Sequence, residues 1–120
     1  MNNVSIVGRT TRDIETKYIP SGKSVCSFSV AISRKYTQDG EQKEDVSFIE
    51  VQAWGKTAEN VAKYVSKGNR IAISGSLKQD RWEQDGNKRS KLYVVAHQVE
   101  FLESKKQEEK VSSEQVKWDE

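Results

Sequence analysis

Short runs in which apolar and polar residues alternate dominate the chain, and that period predicts strands. The first covers Asn3–Arg9 and ends near Gly8; a short stretch at Glu15–Ile19 closes on the turn Pro20-Ser21-Gly22. Val25–Arg34 alternates throughout, with Cys26, Phe28, Val30 and Ile32 facing one way and Ser27, Ser29, Ala31 and Ser33 the other. Val46–Gly55 alternates again, and the polar segment Thr37–Asp45 between these strands is expected to be a long hairpin loop. Arg70–Trp82 and Lys88–Leu102 form a second hairpin around Gln84-Asp85-Gly86-Asn87.

One segment has a helical period. In Thr57–Ser66 the residues Ala58, Val61, Ala62 and Val65 make an apolar stripe, with Thr57 placed to cap the start and Gly68 to end it. Three strands, a helix and two strands then follow in order. That order predicts an all-β chain with one helix: an OB-fold, the five-stranded Greek-key barrel with a helix between its third and fourth strands. Residues 1–103 are expected to make this domain. At 104–120 the pattern stops, and a flexible charged tail is expected.

Composition narrows the class. A length of 120 residues allows one domain, and 34% hydrophobic residues imply a small core that oligomerisation can supplement. No apolar run approaches a membrane span and the N-terminus lacks a secretory pattern, so a cytoplasmic location is expected. The single Cys26 agrees with this, and its apolar surroundings mark it as a small buried hydrophobe. The net charge of +2 hides an asymmetry: residues 1–102 carry 16 basic and 12 acidic groups, whereas from Glu103 onward four Lys meet six Asp/Glu. A mildly basic body suits an anionic partner.

No constellation for catalysis emerges. The lone His97 stands in the last strand, evenly spaced from Tyr93, Val95, Val99 and Phe101, and is expected to be structural or half-buried. One His and one Cys do not furnish the usual zinc ligand sets, and the glycines occur singly rather than in a phosphate-cradling loop. No catalytic residue, metal or other cofactor is expected.

The aromatic residues are more informative. Strand period sends Ile49, Val51 and Ala53 inward and leaves Phe48, Glu50, Gln52 and Trp54 on the outward face. In the next strand Ile71, Ile73 and Leu77 point inward, while Ser74, Ser76, Lys78 and Trp82 point outward. Tyr36 follows Arg34 and Lys35 where the earlier strand runs into its hairpin. Exposed rings offer platforms for unpaired bases, each worth about 1–3 kcal/mol, and Arg34, Lys35, Lys56, Lys78 and Arg81 stand near them to meet phosphates. The competing account packs Phe48 and Trp54 into a subunit interface or beneath a loop.

Over residues 2–102 the chain resembles the bacterial single-stranded DNA-binding protein family. The matching pieces are Asn3–Arg9, Tyr18–Gly22, Phe28–Ala31, Trp54–Glu59, Tyr64–Gly68, Ile73–Leu77 and Arg81-Trp82, in that order and spacing. The resemblance implies an OB-fold that binds single-stranded DNA without much sequence preference, usually as a homotetramer, in replication, recombination and repair. It places the family's base-stacking aromatics on Tyr36, Phe48, Trp54 and Trp82. Many members also carry a long Gly/Pro/Gln-rich linker ending in several Asp and Pro-Phe, which recruits replication and repair enzymes. Here the tail is short and ends Val116-Lys117-Trp118-Asp119-Glu120, a departure that leaves recruitment through the tail open. Two other readings also stay open: an OB-fold module that docks proteins through an apolar patch, and a barrel that binds RNA, which offers the same bases and phosphates.

Overall fold

A computed structural model describes residues 1–103. Its elements are β1 (Val4–Thr10), β2 (Lys17–Tyr18), β3 (Ser24–Gln38), β4 (Glu41–Trp54), α1 (Gly55–Tyr64), β5 (Arg70–Gln84) and β6 (Asn87–Phe101). The sheet runs β1-β5-β6-β4-β3-β2, and β1 pairs a second time with β3 through Arg9↔Ala31 and Thr10↔Val30. Those two pairs close five strands into a barrel, while β2 only extends the edge of β3. The all-β OB-type barrel with one helix between its third and fourth strands is thus the observed architecture.

Alternation builds the core. Cys26, Phe28, Val30, Val51 and Ala53 are each at most 1% exposed, and Ile71, Ile73, Val94 and Ala96 meet them from β5 and β6. Ala58 and Val61 of α1, with Val65 just beyond it, pack into the same core. Burying a side chain such as Phe28, Val30 or Ile71 stabilises the fold by about 1.5–3 kcal/mol. A slip of one residue would turn the whole set into water, so the pattern also sets the register. Burial pushes the Cys26 thiol from its ordinary 9.0 up to about 11, which keeps it protonated at neutral pH.

Five local expectations are corrected. Thr37–Asp45 is not a loop: β3 and β4 stay paired from Val25↔Trp54 to Gln38↔Glu41. Asp39 and Gly40 both adopt positive φ (54° and 77°), the requirement of a tight two-residue hairpin turn. The segment reads as polar because this hairpin projects beyond the barrel, with both faces largely in water. The helix starts earlier than Thr57 and has no side-chain cap. Gly55, at φ 60°, turns the chain from β4 directly into α1, with extended Trp54 at the N-cap. Nor does Gly68 end the helix. Val65 is already extended, and the Gly68 amide donates to Thr10 O at 2.9 Å in the turn leading to β5.

The last two corrections share β5 and β6. Leu77 keeps the inward parity but is 44% exposed, because the hairpin leaves the barrel there. His97 is exposed rather than half-buried, and its Nε2 lies 3.0 Å from Ser76 Oγ. The pairs Ser74↔Gln98 and Gly75↔Ala96 leave His97 as an extra residue in β6. This bulge shifts the inward phase from Val94 and Ala96 to Val99 and Phe101, so period-2 counting fails across it.

The end of β6 is tied down. Glu103 accepts from the Arg70 amide at 3.0 Å and from Arg9 Nη1 at 2.9 Å. The Arg70 amide, helped by the Arg9 guanidinium, holds its carboxyl below the usual range. The tail expected at 104–120 lies outside the described residues.

Candidate nucleic-acid interface

Residues directly opposite each other in a ladder share a face, so register decides which side chains can meet one ligand. Along β3 and β4, Ser27, Ala31 and Lys35 lie on the same side as Gln52, Phe48 and Glu44. The parallel pair Gln52↔Val95 carries that face onto β6, through Val95, Tyr93, Lys91 and Arg89. From there Ser76, Lys78, Asp80 and Trp82 continue it on β5. One outward surface therefore runs over four strands and holds Phe48, Trp54 and Trp82 together with Lys35, Lys78, Arg89 and Lys91.

Each ring is presented for a local reason. Phe48 is 68% exposed because its cross-strand partner, Ala31, is too small to cover it. Trp54 is half-buried at the end of β4; its Nε1–H donates to Gln52 Oε1 at 2.9 Å, which fixes the ring plane. The Lys23 ammonium lies 5.5 Å from the Trp54 ring centroid, a cation–π contact. Trp82 is 44% exposed on the projecting hairpin, opposite Arg89.

Polar contacts set the spacing between the rings. Tyr93 is buried, and its hydroxyl donates to Asp80 Oδ2 at 3.0 Å. Burial, then that bond to Asp80, raises the Tyr93 pKa, so the hydroxyl keeps its proton. Lys91 pairs with Glu50 at 3.3 Å across β6 and β4. An exposed ion pair thus lies between the β4 rings and Trp82.

The other expected residues fall elsewhere. Arg34 and Tyr36 have the opposite parity, facing the same way as Phe28 and Val30, with the Arg34 guanidinium 5.6 Å from the Tyr36 ring centroid. Arg81 lies on the reverse of the β5–β6 hairpin, donates to Gln79 Oε1 at 2.9 Å, and lines a shallow groove of about 370 Å³ with Lys88 and Ser90. Lys56 is exposed in the first turn of α1. Among the described residues no helix is long and apolar enough to cross a membrane, and no group of three or more His, Cys, Asp or Glu is placed to hold a metal ion.

A barrel of this topology corresponds to a known family, whose model, the single-strand binding protein family, matches residues 1–102. The chain belongs to the single-strand binding protein family. It is 42% identical over 104 residues to the single-stranded DNA-binding protein of Treponema pallidum, covering 87% of this chain and 59% of that protein. The corresponding protein of Wolinella succinogenes is 42% identical over 106 residues, covering 87% and 65%. The chain therefore spans about three-fifths of the length of these relatives. Among solved structures, a deletion mutant of the Thermus aquaticus single-stranded DNA binding protein aligns with a TM-score of 0.77 at 29% identity, over 86% of this chain and 51% of that one. The Plasmodium falciparum SSB in complex with ssDNA aligns with a TM-score of 0.78 at 20% identity, over 86% and 96%, a likeness of fold.

In this family member Lys23, Arg89 and Lys91 share the neighbourhood of the candidate residues expected from sequence. Arg89 and Lys91 were within reach of sequence reasoning: counting back from the Asp85-Gly86 turn pairs Gln84 with Asn87, hence Trp82 with Arg89 and Asp80 with Lys91. Lys23 had no such signal, because its place over Trp54 depends on how β2 and β3 curl toward the end of β4.

Proposed function

We propose that the chain is a non-enzymatic binder of single-stranded DNA that stacks unpaired bases on Phe48, Trp54 and Trp82 and meets phosphates with Lys35, Lys78, Arg89, Lys91 and Lys23. The observation that carries this reading is the continuous outward face, on which three accessible rings share one surface with Lys35, Lys78, Arg89 and Lys91. Bases in a duplex stack on one another and hide their faces, whereas a single strand can lay them on the rings in any sequence. A strand that passes over the edges of the two hairpins also reaches Tyr36 and Arg34 on one reverse face and Arg81 on the other, and Lys56 flanks Trp54.

Binding only the open strand shifts the duplex equilibrium toward it by mass action. This is the physical basis for the proposed role of protecting and organising single strands in replication, recombination and repair, in the cytoplasm and at the nucleoid. Homotetramer assembly belongs to the same proposal. It is supported by Val7, 51% exposed beside Ser5, Ala72 and Ser74 in a shallow hollow of about 280 Å³, an apolar contact suited to a second copy. Recruitment of replication or repair proteins would fall to the segment after Glu103.

Displacement of a labelled oligo-dT by unlabelled competitors tests the ligand class. Single-stranded DNA should displace it fully at concentrations where duplex of the same sequence does not, and RNA of equal sequence should compete less well. RNA that competes as well as DNA would favour the RNA-binding reading, and duplex that does so would contradict stacking.

A further inference from the structure

An acid in the middle of a surface built for a polyanion needs an explanation. Glu50 lies on the outward face of β4, two positions from Phe48 and four from Trp54, and its carboxylate holds Lys91 Nζ at 3.3 Å. Lys91 projects from β6, the strand between β4 and β5, so it occupies the space between the Phe48–Trp54 row and the β5 segment that carries Lys78 and Trp82. Its cross-strand partner is Asp80, but the Asp80 carboxylate is engaged by the Tyr93 hydroxyl at 3.0 Å. Glu50 is thus the carboxylate that takes up the central cation of the face. The pair is well exposed, with Lys91 and Glu50 side chains 52% and 42% accessible, and exposed ion pairs of this kind are weak and easily exchanged.

We infer that Glu50 is an affinity-limiting residue that competes with a DNA phosphate for Lys91. This inference rests on the outward face being the DNA-binding surface. In the free protein Glu50 neutralises Lys91 and screens the centre of the face. When a strand lies across from the β4 rings to Trp82, a phosphate replaces the carboxylate as the partner of Lys91, and Glu50 stays close enough to repel it. The exchange holds affinity below what the rings and cations would otherwise provide, and it favours release of the strand.

Two substitutions and their combination test this, read as the affinity for a dT oligomer across a salt series. E50Q keeps shape and hydrogen bonding but removes the charge, which at about 7 Å from a phosphate in water corresponds to about threefold tighter binding. It should also steepen the dependence of log K on log salt, because Lys91 now enters the complex with its full counterion release of about 0.7 per phosphate. K91A should weaken binding and flatten the parent slope, by less than the full value of about 0.7 because Glu50 already withholds part of it. In the double variant, E50Q should no longer steepen the slope relative to K91A. Unchanged or weaker binding by E50Q, or a slope that still steepens without Lys91, would overturn the assignment. If W54A and W82A bind normally, the face itself is misassigned; if they bind weakly while E50Q has no effect, only the role of Glu50 fails.

Discussion

Trp82→Ala is expected to weaken binding of an oligo-dT by about 1–3 kcal/mol, roughly fivefold to 150-fold, without loss of fold. The ring is 44% exposed on a hairpin outside the barrel and faces Arg89, so its removal opens no core cavity. Stability should stay within about 0.5 kcal/mol of the parent, as for a surface substitution. Trp54→Ala should cost binding by a similar amount but behave differently in a melt. Trp54 is half-buried at the junction of β4 and α1, hydrogen-bonded to Gln52 and overlaid by Lys23, so part of its role is to hold that junction. Trp54→Phe should therefore recover much of the binding, since it restores a ring in the same place. Anisotropy titrations paired with thermal melts separate these effects. Parent-like affinity in both alanine variants would contradict the stacking account.

Gly75→Ala is expected to destabilise the barrel more than any surface change. Gly75 lies beside the bulge, tight against β6: a Cβ built there would sit 2.0 Å from the carbonyl oxygen of Val95 and 3.1 Å from Ala96 Cα. Both neighbours are backbone, so no side chain can swing away and the strands themselves must part. Overpacking of this kind costs about 3 kcal/mol at the upper end of its usual range. For a domain of this size that lowers Tm by roughly 10–20 °C. Ser90→Ala, exposed on β6 away from the hollow beside Val7, is the control and should melt within about 0.5 kcal/mol of the parent. Equal melting temperatures for the two variants would show that the strands are not so closely apposed. The substitution should also disturb DNA binding, because β5 and β6 beyond the bulge carry Lys78, Trp82, Arg89 and Lys91.

The barrel was legible in the chain because alternation survives wherever one face is buried. Cys26, Phe28, Val30, Val51 and Ala53 mark that face without ambiguity, and all are buried. The pattern stops informing where both faces meet water. Thr37–Asp45 looked like a loop for that reason, although Asp39-Gly40 is a two-residue hairpin signal of the same kind as Asp85-Gly86. Across His97 the failure is different, since an inserted residue changes the phase of β6 and period-2 counting cannot foresee it. For the interface, Phe48, Trp54 and Trp82 were readable as apolar rings at outward positions. That Tyr36 and Arg34 point to the other side follows from their even numbers in β3, counted against odd-numbered Lys35 and its partner Glu44. The pairing of Glu50 with Lys91 was not readable, because it joins two strands that are neighbours in space but far apart in sequence.

The most direct test of DNA binding by the outward face is the intrinsic fluorescence of its two tryptophans. With Trp118 replaced by phenylalanine, Trp54 and Trp82 are the remaining reporters of the three tryptophans in the chain. Addition of poly-dT should quench their emission strongly as bases stack on the rings, and rising salt should restore it as phosphate contacts dissolve, with a slope of about 0.7 per neutralised phosphate. Emission that does not change with poly-dT would contradict the account, and so would quenching that high salt leaves untouched.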